Sequence, residues 1–279
     1  MKGIGLILPN ADFSGSPLGR ISIAESADDI AAEAVAAYAK AIGSSQYNST
    51  LQPLVAELMN SGLWDKISAI YPMLGATLSA KKVNLKFPDT LALAFGANAS
   101  SISNGVNFVD TIGVDAIQCD EVSKKFSGYT SFFAAKQIKG TYNGAILTSF
   151  KENNSIRIGA ASNSGLQFYM SRFGMLSFVS GASTNVRKLT FHAEDTYIYN
   201  IADGVKADNI ATNNNASLDV VVPTFIGADY AKLPIAPGSN SDLMFSGDVY
   251  CYAFGWMSEA DSVKFDSLMN KFVADLKGL

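Results

Sequence analysis

The chain has 279 residues, of which 48% are hydrophobic and only 16% are charged, and its formal net charge at pH 7 is −4. This hydrophobic content is sufficient for a sizeable buried core, in one large domain or two ordinary ones. The charged fraction lies well below the roughly 25% of typical soluble proteins, so neutral residues must supply most of the polar surface. Such a composition is more typical of strand-rich extracellular or virion proteins than of cytosolic helical enzymes.

Simple sequence features argue against nucleic-acid binding, membrane insertion and Sec-dependent secretion. No run of Lys or Arg exceeds two residues and the pI is about 5.0, so the basic surface of a nucleic-acid-binding protein is absent. No apolar stretch reaches the roughly 18 residues that span a membrane. The opening "MKGIGLIL" is too short for a secretion signal, and Pro9–Asp12 interrupt it. We therefore expect synthesis in a cytoplasm without a Sec signal.

The cysteines and the single histidine limit the possible chemistry. Cys119 and Cys251 have no CxxC spacing and lie in strand-like runs. This predicts buried free thiols, with a disulfide between neighbouring strands as the alternative. His192 is the only histidine, and no nucleophile elbow accompanies it in "LTFHAED". A histidine metal cluster is thereby excluded, and a catalytic triad is disfavoured.

The N-terminal third begins with an arm and continues with two helices. Residues 1–24 alternate short apolar runs with Gly and Pro, which predicts extended pieces that need a partner surface. Ser26 and Asp29 form the capping box of a first helix, and Gly43 ends it. A second helix is predicted to begin near Thr50. The predicted apolar faces consist of Ile30, Ala34, Ala37, Tyr38 and Ala41 in the first helix and of Leu51, Leu54, Val55, Leu58 and Met59 in the second.

After Lys82 the hydrophobic period changes from that of a helix to the period of two that is typical of strands. The predicted strands are VNLKF, LALAF, VNFVD, VDAIQC, YTSFFAAK, NGAILTSF, SIRIGAA, LQFYMS, LSFVS, KLTFHA, TYIYNI, LDVVV and VYCYAFGWM. Turn-forming residues separate these runs, and no helical pattern lies between them. The series predicts a mainly β fold, an antiparallel sandwich or jelly roll.

A C-terminal helix closes the chain. Ser258 and Asp261 form a second capping box, and Gly278 is predicted to end the helix. Its predicted apolar face consists of Val263, Phe265, Leu268, Phe272 and Leu276. We expect this helix to lie across an edge or a face of the sandwich.

Two segments resemble a known family. "GLWDKISAIYPMLG" followed by "KKVNLKFP" is similar to a signature of concanavalin A-like (LamG-like) jelly-roll proteins of tailed phages, in particular those that infect gut Bacteroidales, including the crAss-like group. "LMFSGDVYCYAFGWMSEADSVKFDSLMNKFVADL" resembles the final strand and acidic helix of that family. The resemblance covers roughly residues 50–279. "LPNADFSGSPLGRI" also resembles N-terminal segments of phage appendage proteins, which implies virion attachment through Asp12, Phe13 and Leu18.

The resemblance implies an organisation in three parts. Residues 1–24 would be an attachment arm, 25–75 a helical neck that mediates oligomerisation, and 76–279 a concanavalin A-like jelly roll. Trp64 and Tyr71 can wedge the neck against the sheet, because aromatic rings bury large apolar surfaces. We predict that Trp64 is a packing residue at this joint.

The implied function is that of a phage virion structural protein, a head or tail fibre or appendage component. It would assemble with other virion proteins and adhere to host surface glycans. Phage fibres are commonly threefold, and the Ala-rich face of the first helix permits close helix approach. We therefore expect a homotrimer formed mainly through residues 1–60, with Ala34 and Tyr38 at the contact. The alternatives are a glycan-active hydrolase on the same fold and a bacterial glycan-binding lectin, which the missing secretion signal disfavours.

The carboxylate pattern argues against hydrolysis. The Glu-x-Asp-x-x-Glu arrangement of laminarinase-like jelly rolls is missing. Glu194 and Asp195 are adjacent, as are Asp120 and Glu121, so the two side chains of each pair would point to opposite faces of a strand. We predict that these are solvated turn residues and that the protein has no catalytic residue.

Two kinds of binding site remain as expectations. The resemblance makes a calcium ion possible, with Asp219, Asn240 and Asp242 as candidate oxygen ligands, although the fold should need no cofactor. For glycan binding, the Gly- and Pro-rich segment 225–242 offers Tyr230. The Asn-rich segment before it offers a second candidate site, which consists of Asn213 and Asn214.

Overall fold

The structure, a computed structural model, describes residues 26–93, 95, 99–108, 122–125, 127–137, 144–151, 154–161, 165–170, 174–180, 186–194, 197–206, 210–211, 219–222, 225–226 and 247–276. The predicted N-terminal arm, the strand VDAIQC with Cys119, and Gly278 lie outside these residues.

In chain order the elements are α1 (Ala27–Ile42), α2 (Asn48–Asn60), a 3-10 turn (Trp64–Lys66), β1 (Ile67–Tyr71), α3 (Leu78–Lys81), β2 (Ser100–Ile102), β3 (Gly105–Phe108), β4 (Val122–Lys125), β5 (Tyr129–Gln137), β6 (Gly144–Lys151), β7 (Asn154–Ala161), β8 (Gly165–Met170), β9 (Gly174–Ser180), β10 (Arg187–Ala193), β11 (Tyr197–Ala202), β12 (Val205–Lys206), β13 (Ile210–Ala211), β14 (Asp219–Val222), β15 (Phe225–Ile226), β16 (Gly247–Trp256) and α4 (Glu259–Asp275).

Within the described residues, nine strands form the larger sheet, in the order β12-β11-β10-β5-β16-β3-β2, with β1 beside β16 and β13 beside β11. Five strands form a second sheet in the order β15-β6-β7-β8-β9, and β14 pairs with β4. The pairings are antiparallel throughout these strands. The prediction of a mainly β, antiparallel fold closed by a C-terminal helix is confirmed. No helix of the described residues is long and apolar enough to cross a membrane.

The larger sheet is covered on one face by helices. Helix α1 begins at the predicted capping box, in which the Ser26 hydroxyl accepts from the Asp29 amide at 3.2 Å. The buried face of α1 differs from the predicted one, since Ile30 is 40% exposed and Ala37 and Ala41 are exposed as well. The residues of α1 that are buried are Ala31, Val35, Tyr38, Ala39 and Ile42. The face is rotated because Val35 and Ile42 bury more apolar surface than the alanines of the predicted stripe.

The opposite face of the larger sheet carries an aromatic layer. Tyr252 stacks between Tyr71 and Phe133, with ring centroids 5.8 and 4.7 Å away, and Phe254 lies 5.5 Å from Tyr252. All four side chains are fully buried, so a second layer covers them. The five-stranded sheet approaches the larger one where β9 meets β11. Together the two sheets form a β-sandwich.

The segment with which the chain first enters the larger sheet differs from the predicted one. Ile67–Tyr71 is a strand that pairs with β16, whereas VNLKF and the described part of LALAF are irregular. A Cβ atom at Gly255 would lie 2.3 Å from the Lys66 carbonyl oxygen, so only glycine permits the close approach of β1 to β16. The sheet thus begins within the range predicted as a neck.

The turn between α2 and β1 contains the predicted joint residue. Trp64 is half-buried and packs against the core that the helices share with the larger sheet. The Lys86 ammonium lies 5.5 Å from the centre of its ring. This ammonium also donates to the carbonyl oxygens of Trp64 at 2.6 Å and Ile67 at 2.8 Å. Cys251 is a buried free thiol in the same core, as predicted.

Helix α4 begins at the predicted capping box of Ser258 and Asp261. Val263 is 43% exposed, which contradicts its predicted place on the apolar face. Besides Phe265, Phe272 and Leu276, the buried residues are Ser262, Asp266, Met269 and Val273. The underside of α4 is therefore partly polar, and that feature leads to the candidate site.

Candidate functional site

Most of the predicted site residues lie outside the described part of the chain. These are Tyr230, Asn213, Asn214, Asn240, Asp242, Asp12, Phe13 and Leu18. Asp219 lies in β14, where its backbone pairs with Lys125. Ala34 is half-buried on α1, and Tyr38 is fully buried in the core of its own chain. Tyr38 is therefore a packing residue, and its predicted place in a contact between copies is wrong. Among the described residues, no group of three or more His, Cys, Asp or Glu could hold a metal ion.

A polar cluster occupies one end of the larger sheet, where α4 begins. We call it the α4 cluster; it consists of Thr130, His192, Glu194, Tyr197, Tyr199, Lys206, Glu259 and Ser262. Antiparallel pairing places His192 opposite both Thr130 and Tyr199, so the three side chains share one face of the sheet. The capping box then begins α4 directly above this face. Residues far apart in sequence are thereby brought into hydrogen-bonding distance.

His192 is fully buried at the base of the cluster. Its Nε2 atom lies 2.9 Å from Glu194 Oε1 and its Nδ1 atom 2.8 Å from Thr130 Oγ1. Burial lowers the pKa of His192, and the hydrogen bond with Glu194 opposes this effect. In the neutral ring Nε2–H donates to the carboxylate, so Nδ1 accepts from the threonine hydroxyl. The pair holds Glu194 at the surface with a defined orientation.

Glu259 forms the upper part of the cluster, and its side chain is about one-third exposed (34%). It accepts hydrogen bonds from the Tyr197 hydroxyl and the Lys206 ammonium. These two hydrogen bonds lower the pKa of Glu259, so the carboxylate is ionised at neutral pH. The hydrogen bond between Tyr197 and Glu259 raises the pKa of Tyr197 to about 12, because the neighbouring carboxylate favours the protonated phenol. Tyr197 therefore remains a neutral donor.

Tyr199 connects the cluster to the helix. Its hydroxyl contacts Ser262 Oγ and donates to the Glu259 carbonyl oxygen at 3.1 Å. The Lys206 ammonium lies 4.1 Å from the centre of the Tyr199 ring, a close cation–π contact. Tyr197 and Tyr199 are stacked with ring centroids 6.4 Å apart. The result is a fixed surface of phenol, carboxylate and ammonium groups over a buried base.

A small cavity lies between α2 and α4. Its volume is about 160 Å³, and Leu54 and Phe272 are among the residues that line it. The ion pair between Lys271 and Glu57, at 2.8 Å, lies beside it. This volume is below the roughly 300–1,000 Å³ of typical small-molecule pockets. The α4 cluster is therefore the better candidate.

Sequence reasoning missed the α4 cluster. Glu194 was predicted to be a solvated turn residue, but it is a half-buried partner of His192. One sequence pattern does indicate the cluster. His192, Glu194, Tyr197 and Tyr199 are polar or aromatic residues within the eight-residue run HAEDTYIY, which contains a short connection between two strands. Lys206 and Glu259 could not be added from the sequence, because only the three-dimensional fold brings them to this place.

Comparisons with known proteins show the fold alone. No family model and no curated protein matches the chain. The structure is similar to a Trypanosoma rangeli sialidase in complex with sialic acid, with 9% identity, a TM-score of 0.55 and coverage of 74% of this chain and 33% of that chain. It is also similar to the botulinum neurotoxin serotype D binding domain, with 11% identity, a TM-score of 0.55 and coverage of 76% of this chain and 52% of that chain. The chain thus spans about a third of the length of the sialidase and shares a β-sandwich fold with both proteins.

Proposed function

We propose that the chain is a non-catalytic, glycan-binding β-sandwich of a phage virion, and that it adheres to glycans on the host surface. The observation that carries the binding function is the α4 cluster. There, the half-exposed Tyr197 presents a ring beside the exposed Lys206 and the partly exposed carboxylates of Glu194 and Glu259. Sugars need hydrogen-bond donors and acceptors next to an apolar ring, and the cluster supplies all three.

Preorganisation supports binding at this surface. Each charged group of the cluster is already held by a neighbour: Glu194 by His192, and Glu259 by Tyr197 and Lys206. Side chains that are ordered before the ligand arrives lose less conformational entropy on binding. A hydroxyl-rich ligand can therefore add hydrogen bonds to these groups without reorganising them.

The titration behaviour of the carboxyl groups favours a binding protein over a hydrolase. A glycoside hydrolase needs a carboxylic acid whose pKa is raised so that it can protonate the leaving group. The pKa of Glu259 is lowered instead, by its hydrogen bonds with Lys206 and Tyr197. Burial raises the pKa of Asp266 to about 6, but this side chain is fully buried under α4 and cannot reach a glycan. The hydrolase remains the alternative, because Glu194 and Glu259 lie at one surface with Tyr197.

The virion location and the homotrimer are part of the same proposal. They are supported by the sequence resemblance of residues 62–88 and of the closing strand and helix to phage jelly-roll proteins. A particle that carries many copies converts weak single-site binding into strong adhesion.

The test measures binding of the purified chain to an array of monosaccharides and linear oligosaccharides of glucose, mannose, galactose and N-acetylglucosamine. We expect Tyr197→Ala and Lys206→Ala each to weaken binding about tenfold, the effect of losing one important contact. Val205→Ala is the matched control, because Val205 is 72% exposed and adjacent to Lys206.

Two results would overturn the proposal. One is the absence of binding to every sugar on the array. The other is cleavage of an oligosaccharide that Glu259→Gln or Glu194→Gln abolishes, which would establish the hydrolase instead.

A further inference from the structure

A second group of aromatic and cationic side chains lies at the same end of the larger sheet as the α4 cluster. It consists of Trp64, Lys86 and Phe87, and we call it the Phe87 station. Phe87 is 48% exposed, and the Lys86 ammonium lies 5.2 Å from the centre of its ring and 5.5 Å from that of Trp64. The carbonyl oxygens of Trp64 and Ile67 hold this ammonium in place. An exposed aromatic ring is therefore presented on a fixed support.

The first turn of α4 lies between this station and the α4 cluster. Asp261 accepts from the Lys66 ammonium at 2.6 Å, which ties the helix to the turn that contains Trp64. Glu259 binds Tyr197 and Lys206 on the other side. Residues two positions apart point in roughly opposite directions around a helix, so the two carboxylates can reach opposite sides. The same helical turn thus positions both aromatic surfaces.

Strand order gives the distance between β1, beside which the Lys86 ammonium lies, and β11, which carries Tyr197. Along this end of the sheet the neighbours are β1, β16, β5, β10 and β11, since Gly255 pairs with both Ile67 and Thr130, and His192 pairs with both Thr130 and Tyr199. Four steps of about 4.8 Å between neighbouring strands separate β1 from β11 by roughly 19 Å. A single sugar ring cannot contact both the Phe87 station and the α4 cluster, whereas an extended oligosaccharide can.

The charges along this end of the sheet are already matched. Lys66 is paired with Asp261 and Lys206 with Glu259, and Lys86 is held by carbonyl oxygens. The pKa of His192 is lowered, so the histidine does not add a positive charge at neutral pH. The ammonium groups of Lys66, Lys86 and Lys206 are equalled in number by the carboxylates of Glu194, Glu259 and Asp261, so these described groups present no net positive charge to the carboxylate of an acidic sugar.

We propose that the ligand is an extended, linear oligosaccharide of neutral sugars that spans both surfaces, with one part on Phe87 and another on Tyr197. This inference rests on the proposed function and adds the size and charge class of the ligand. Binding should depend on oligosaccharide length and only slightly on salt, because neutral contacts are little affected by ionic screening.

Calorimetry compares short and long linear oligomers of the neutral sugar that binds best on the array, and it compares the long oligomer with an acidic oligosaccharide of equal length. We expect Phe87→Ala and Tyr197→Ala each to weaken binding of the long oligomer about tenfold. Phe87→Ala should leave binding of the short oligomer unchanged if that oligomer occupies the Tyr197 side. Phe87→Tyr, which keeps the ring, should retain wild-type affinity. Ile30→Ala controls for removal of an exposed apolar side chain, and a melting curve for each variant verifies folding.

The outcomes separate the two proposals. If Tyr197→Ala weakens binding and Phe87→Ala, correctly folded, does not, the extended site is wrong and the proposed function survives. If acidic oligosaccharides bind more tightly than neutral ones of equal length, the neutral class is wrong. If the wild-type chain binds no oligosaccharide, the proposed function itself fails.

Discussion

At the scale of single residues, side chains that bind neighbouring backbone groups connect the irregular segments to the sheet. Lys81 is fully buried and donates to the carbonyl oxygens of Met73 at 3.2 Å and Ile102 at 2.7 Å. Burial lowers its pKa to about 8. Asn84 accepts from the amide of Ile70 at 3.1 Å, inside the core. These bonds satisfy backbone groups that would otherwise be costly to bury.

Trp64 is the residue whose role is most directly testable. The Trp64→Ala change removes a half-buried ring that packs on the helix-side core and faces the Lys86 ammonium. We expect a loss of about 2 kcal/mol in the free energy of unfolding, less than the roughly 3–5 kcal/mol for fully buried tryptophans. Denaturant unfolding measures this change, and Trp64→Phe should recover part of it. An unchanged unfolding midpoint for Trp64→Ala would contradict the structural role.

At the scale of elements, α4 and the strands below it meet through a partly polar interface. Asp266 lies in this interface, where its Oδ1 atom accepts from the Thr190 hydroxyl at 2.7 Å and its Oδ2 atom from the Asn270 amide at 2.7 Å. Burial raises the pKa of Asp266 to about 6 from 3.8, against the effect of these two hydrogen bonds. The folded protein therefore retains a proton that the unfolded chain releases.

The contribution of Asp266 to the stability of the fold therefore decreases as the pH rises. The stabilisation that comes from the higher folded-state pKa is fully present below 3.8 and is lost as the pH rises through about 6. Asp266→Asn cannot ionise and can still accept from Thr190. As the pH rises from 3.8 to about 6, we expect the free energy of unfolding to fall less in this variant than in the wild type, as measured by urea unfolding.

Asp275→Asn is the matched control, because Asp275 is an exposed carboxylate on the same helix. Identical pH profiles for Asp266→Asn and the wild type would show that Asp266 does not titrate in the interface. A change of equal size in Asp275→Asn would assign the effect to the general charge of the helix.

Local elements could be predicted from the sequence, whereas long-range packing could not. The capping boxes at Ser26 and Ser258 involve groups three residues apart, so the pattern contains all the information. Strands such as β5 and β10 follow from their alternation of residues. By contrast, β1 follows a helical turn and is a strand because β16 lies beside it.

The faces of the amphipathic helices show the same limit. The helical period predicts an apolar face that includes Ile30 and omits Val35, but α1 buries Val35 and exposes Ile30. Several stripes of Ala and Ile satisfy the helical period equally well in an Ala-rich helix. Contact with α2 and the sheet decides between them, and the sequence pattern does not contain that contact.

At the scale of the whole molecule, the larger sheet separates two kinds of core. One face carries stacked aromatic rings, and the other carries the helices and the polar underside of α4. The α4 cluster and the Phe87 station both lie at the end of the sheet where α4 begins. The aromatic layer stabilises the scaffold from the far side, so substitutions of the exposed side chains Phe87, Tyr197 and Lys206 should affect binding more than folding.

The predicted homotrimer is a property of the whole molecule. With Tyr38 buried in its own chain, the part of α1 available to another copy is its outer face, which includes Ala32, Ala36 and Ala37. We expect light scattering at micromolar concentration to give three times the chain mass of 29.6 kDa. Ala37→Arg should convert the trimer to a monomer with little change in melting temperature, because an exposed helical position tolerates arginine. Lys40→Ala, on the same outer face, should leave the trimer intact. A monomer mass for the wild type would refute the proposed trimer.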